Sequence, residues 1–164
     1  MSGLDWLVFV HVTGAFAFVL GHGSSAMVSM RLRTERDPTR IRALLDLSSS
    51  STGALYGGLL LLLAGGIAAG FAGGYWGRGW IWLSLGLLIA ITVAMYPLGS
   101  LFYGRVRNAV GLKSYRDPKD APPPDPVSPA ELDALLSSSR PIALMAIGGL
   151  GLLVIVFLMI GKPF

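Results

Sequence analysis

His11 and His22 are the two histidines of this 164-residue chain, and both fall inside one apolar run, Leu4 to Met30. An ionisable ring in such a run is costly to bury, so it faces other helices and takes a partner there. Their spacing is about three helical turns, which sets both rings on one face roughly 16 Å apart along the axis. Gly14, Ala15, Phe18, Ser25 and Ser29 continue the same stripe, and Gly21 and Gly23 leave His22 without a side chain on either neighbour. A backbone or a flat ligand can approach that ring closely. A second polar stripe, Thr92, Tyr96, Gly99 and Tyr103, lies on a later apolar segment. Counted at about 1.5 Å per residue, Met95 and Tyr96 fall level with His22.

His11, His22, Met95 and Tyr96 are therefore the candidate cofactor-binding residues, with the two histidines as metal ligands. Neutral imidazole suits haem iron, copper or zinc, and two rings at different depths are the arrangement of a di-haem membrane cytochrome. A bis-histidine haem needs a ring from another helix, which this chain lacks. Three routes stand: His–Met ligation through Met95, five-coordinate haem b, or a homodimer whose equivalent histidines meet on a two-fold axis. Copper is a further candidate because thioether suits Cu(I), although the six methionines show no clustered spacing. The plain alternative is structural: both rings bond Thr13, Ser25, Tyr96 or a backbone carbonyl and hold helices in register.

These residues need helices to position them, and the composition supplies membrane-crossing ones. The chain is 53% hydrophobic and 13% charged, with a mean hydropathy of +0.65. Runs long enough to cross a bilayer occupy residues 4–30, 53–73, 80–104 and 141–161. The expected fold is all-α, an integral-membrane four-helix bundle forming a single domain. No basic region precedes the first run, and the run is too long for the apolar core of a cleavable signal. With no cysteine, disulfides and thiolate metal sites are excluded.

Of the thirteen basic residues, Arg31, Arg33, Arg36, Arg40 and Arg42 lie between the first two spans. Arg105, Arg107, Lys113, Arg116, Lys119 and Arg140 lie between the last two, and only Arg78 and Lys162 fall elsewhere. This asymmetry reports topology rather than nucleic-acid binding: long loops in the cytoplasm, both termini outside, and a bacterial inner membrane as the location. Trp6, Tyr75, Trp76, Trp80 and Trp82 fit an outer aromatic belt. Two interfacial cytoplasmic helices are expected. Asp37-Pro38 opens one, with Ile41, Leu44, Leu45 and Leu47 toward lipid. Ser128-Pro129-Ala130-Glu131, a capping box, opens the other. Between spans three and four, residues 117–129 form a proline-rich spacer.

Gly66, Gly70 and Gly74 recur every fourth residue and are expected to admit a neighbouring helix, while Pro97 is expected to kink span three. The halves also read as a 2+2 repeat, Asp37 to Leu45 against Ser128 to Leu136, which sets His22 opposite Tyr96. Either a duplication or two similar interfacial helices would produce that match. No span is expected to bury a carboxylate, since Asp5 lies at the outer edge of the first, and no phosphate loop or nucleophile elbow is present. The sequence thus offers no catalytic constellation. Its partners are the lipid bilayer and either a second copy or a larger membrane complex.

Val10-His11-Val12-Thr13-Gly14-Ala15, Gly21-His22-Gly23-Ser24-Ser25, Arg31 to Asp37 and Ala43 to Ser48 together resemble an uncharacterised family of bacterial integral membrane proteins. The similarity runs from about Leu4 to Gly111. That family is distantly similar to copper-resistance D-type proteins and to the haem-b-binding, four-helix protoporphyrinogen oxidases, which place a histidine near the start of span one. The resemblance implies His11 as the ligand position and haem as the cofactor.

Overall fold

The computed structural model describes residues 2–164 and is all-helical, with no strand among the described residues. Seven α-helices follow in order: α1 Gly3–Leu32, α2 Pro38–Ser50, α3 Thr52–Ala72, α4 Gly79–Met95, α5 Leu101–Ala109, α6 Pro129–Leu136 and α7 Arg140–Gly161. Four helical stretches are long and apolar enough to cross a membrane: Gly3–Leu32, Pro38–Ala72, Gly79–Ala109 and Pro129–Gly161. This fits a multi-pass membrane protein.

Glycine decides how the first pair packs. A Cβ on Gly14 would meet the backbone of Leu62, one on Gly21 would lie 2.5 Å from Leu55 N, and one on Gly58 would meet Phe18 N. On Gly65 it would lie 2.7 Å from His11 N. Two glycine pairs, each spaced by seven residues, thus let α1 and α3 run antiparallel almost backbone to backbone. The every-fourth-residue series expected to do this has other duties. Gly66 receives the His11 ring, Gly70 lies under the Trp76 indole, and Gly74 takes φ 65° in the turn after α3. Antiparallel pairing, not the repeat within α3, selects the contact glycines.

The second pair is α4 with α7, where Gly151 faces Ile91 and Gly99 faces Leu144. Pro97, where the sequence led us to expect a kink, lies in a π-helical segment. The five residues Tyr96–Ser100 wind as a π-helix, in which Leu101 N–H donates to the Tyr96 carbonyl and accommodates the missing proline N–H. The start of α1 and the C-terminal residues lie at the same end of the bundle as the 73–79 turn. Trp80 N–H reaches the Phe164 carbonyl at 3.4 Å, and Lys162 Nζ lies 5.1 Å from the Tyr75 ring centre.

At the opposite, basic end the chain builds a compact core. Asp37 caps α2 through Thr39 and Arg40 N–H, and Ser128 with Glu131 closes a capping box on α6. Ile41, Leu45, Leu132 and Leu136 from these helices join Val28, Leu32, Phe102 and Val106. The apolar side of α2, expected to meet lipid, is instead spent on protein, and of its four residues Leu47 alone is exposed, at 57%. The reason is length: α1 and α5 run past the last apolar level and present Leu32, Phe102 and Val106 for α2 to cover.

Candidate functional site

The stripe on α1 forms as its spacing predicted, and each of its polar members has a distinct setting. Gly14, Phe18 and Ser29 are buried, while His11 and His22 are half-buried. His11 packs against α3. Its Nδ1 lies 2.7 Å from the Leu62 carbonyl oxygen, which can only accept, so Nδ1 carries the proton and donates. Gly66 makes room for the ring: a Cβ there would sit 2.7 Å from Nδ1 and 2.9 Å from Cε1. In the neutral ring this places the lone pair on Nε2. That is the preparation a metal-ligating histidine receives from a backbone carbonyl behind it. Nε2 has no partner among the described residues, yet it is not one of the sealed, unpartnered polar atoms, so it stands at accessible surface.

His22 packs against α7. Its ring stacks on Phe18 one turn earlier, with centres 6.0 Å apart and planes 10° from parallel. A Cβ on Gly148 would lie 2.6 Å from its Nε2, so that nitrogen rests against the α7 backbone. Only Nδ1 remains to a ligand. The glycine flanks that open this ring in sequence are answered by a third glycine on another helix, and the space is filled by protein. His22 is the point where the α1–α3 pair meets α7.

The remaining candidates go elsewhere. Tyr96 is 50% exposed and lies with Tyr115, and Met95 is half-buried at the start of the π segment, whereas the neighbours of His22 are Phe18 and Gly148. The tyrosine that does reach α1 is Tyr103, whose hydroxyl donates to the Ser25 carbonyl. Ser25 Oγ in turn lies 3.0 Å from Ser48 Oγ and 3.2 Å from Ser51 Oγ. This hydroxyl cluster, one turn below His22, joins α1, the α2–α3 junction and α5. Ser48 and Ser51 lie at the end of α2, and their partner Ser25 comes from α1. Thr13 is exposed, and among the described residues no hydrogen bond reaches His22.

No protein-family model, curated protein or solved structure matches the chain. What the site can do therefore rests on its donors. Among the described residues no three His, Cys, Asp or Glu side chains gather as a metal-binding group. The donor set fits one axial imidazole, His11, with an open Nε2. It supplies no evident second ligand from another helix.

Proposed function

We propose that the chain is a haem-b-binding, redox-associated membrane protein in which His11 is the axial ligand. The observation that carries this reading is the bond from His11 Nδ1 to the Leu62 carbonyl, which makes Nε2, at accessible surface, the nitrogen through which the neutral ring can ligate. When bound, haem would supply one-electron chemistry. The chain's own part is to hold the imidazole in one tautomer, orient it through α3, and exclude bulk water with the apolar faces of α1 and α3. His22 acts as the contact between α1 and α7, with Nδ1 as its residual donor. The basic end faces the cytoplasm of a bacterial inner membrane and both termini lie outside, with α2 and α6 beside the membrane surface. That α2 and α6 share a cap-proline opening and meet in one cluster supports the 2+2 duplication. Titrating haemin into the purified protein tests the ligation: one equivalent should give a sharp Soret band that His11→Ala lacks. Binding unchanged in that variant would refute it.

A second reading, an accessory subunit of a larger membrane complex, is favoured by the molecule's openness. Its accessible surface is 9511 Å², against about 7,800 Å² for a compact monomer of its mass. The excess is about twice the ~800 Å² that one partner contributes to a standard protein interface. Affinity capture from solubilised membranes tests it. A stoichiometric membrane partner supports it, and a lone monomer counts against it. Bound copper after purification would transfer His11 to a copper-handling role.

A further inference from the structure

Helix register, rather than direct contact, supplies a residue opposite the free nitrogen of His11. α1 and α7 run antiparallel, since the start of α1 and the end of α7 share the end of the bundle with the 73–79 turn. One contact fixes their register: a Cβ on Gly148 would lie 2.6 Å from His22 Nε2. Moving eleven residues toward the shared end leads from His22 to His11 on α1 and from Gly148 to Met159 on α7. That interval is about three turns, so each helix returns to within about 20° of its contact face, roughly 16 Å further along. His11 and Met159 therefore face one another at one level.

The helices part on the way there. On the flank of α1 beside its histidines Ala26 is buried, whereas Val19, Val12 and Val8, successively nearer the shared end, are exposed. Cover over this flank stops near His22, which leaves room between His11 and the half-buried Met159. The His11 ring turns its Nδ1 and Cε1 toward Leu62 and Gly66 of α3, so Nε2 is the nitrogen left for α7. Among the described methionines Met159 alone shares this level. Met145 precedes Gly148, Met27 and Met30 follow His22 on α1 itself, and Met95 adjoins the π segment.

We propose that Met159 is the second axial ligand, its thioether opposite the His11 imidazole on a haem held between α1 and α7. The inference rests on the haem reading of His11 and adds the residue that completes it. An unbranched, flexible thioether adapts to a gap of this kind, and methionine with histidine is an axial pair that raises the haem potential. His22 keeps its place as the contact that sets the register.

The test is haemin titration into the purified full chain, read by optical and electron paramagnetic resonance spectra. The unmodified protein should take up haem in a six-coordinate, low-spin form with the long-wavelength sulfur-to-iron charge-transfer band. Met159→Leu should still bind haem through His11 but lose that band and turn high-spin. Met159→His should restore low spin without the band, at a lower midpoint potential than the unmodified chain. Met145→Leu should leave the spectrum unchanged. A Met159→Leu spectrum equal to that of the unmodified chain overturns the assignment while leaving His11 as ligand. Loss of haem from Met159→Leu that Met159→His does not repair marks a packing residue and overturns it too. No haem uptake by the unmodified chain overturns the His11 reading itself. The register has its own test without haem, because the chain is free of cysteine. Ala15→Cys with Ile155→Cys, an intermediate pair of the same register, should be joined by a short bismaleimide, and Ala15→Cys with Phe157→Cys should not. Failure of the first pair to join overturns the register.

Discussion

The Nδ1 of His11 lies 2.7 Å from the carbonyl oxygen of Leu62, across two helices separated by little more than their backbones. The bond joins residues 51 positions apart in the chain and decides which ring nitrogen is free. Everything proposed for the site follows from that choice of tautomer.

Gly66→Ala should displace the His11 ring, since the new Cβ would lie 2.7 Å from Nδ1. Overpacking of this kind costs about 1–3 kcal/mol. Gly57→Ala on the same helix meets nothing within 4 Å and should instead stabilise by up to about 1 kcal/mol. Thermal unfolding of the two variants in one detergent checks the opposite signs. Equal shifts would mean that Gly66 is not a seat for the ring.

Gly148→Ala should destabilise by pressing on His22 Nε2, while its neighbour Gly149→Ala, open on all sides, should not. Combining Gly148→Ala with His22→Ala should recover part of the loss, because the two changes share one space and are not additive. Strict additivity in a double-mutant cycle would contradict the contact.

How much of this was legible in the sequence divides along a physical line. Spans, caps and the Pro97 distortion are local, set by runs of apolar residues and by backbone chemistry within a few positions, and they appear as expected. Pairings across the bundle are not local. Gly58 and Gly65 resemble the other glycines of α3 until Gly14 and Gly21 are brought opposite them. Met95 and Tyr96 match His22 in depth, but depth carries no azimuth, and Tyr96 turns to Tyr115 while Tyr103 takes the contact with α1. The lipid-facing reading of α2 followed from its amphipathic pattern, which protein and lipid satisfy equally well.

Asp117 lies outside the spans, and backbone hydrogen bonding from Ser114 holds its carboxyl below the usual range. A depressed folded-state pKa stabilises above the unfolded value and is lost as pH falls through the folded one. The loop from Ser114 to Asp117 should therefore begin to loosen as pH falls below the ordinary aspartate value of about 3.9 and lose the full contribution only below the lowered folded value. Hydrogen exchange of that loop measured at about pH 6 and about pH 2 reads this directly. Asp117→Asn should be loose at both values, and an unmodified loop indifferent to pH would contradict the assignment.

Because the chain has no cysteine, single cysteines report topology cleanly. With both termini outside, Pro163→Cys should react with an impermeant thiol reagent in intact cells, and Asp120→Cys only after the membrane is opened. The reverse pattern would invert the orientation.

The most direct measurement on the central claim is chemical rescue of the ligand. His11→Gly should lose the Soret band of the haem-loaded protein and regain it when imidazole is added, while His22→Gly should keep the band without rescue. A His11→Gly protein whose spectrum equals that of the unmodified chain, or an unmodified chain that takes up no haem, would contradict His11 as the axial ligand.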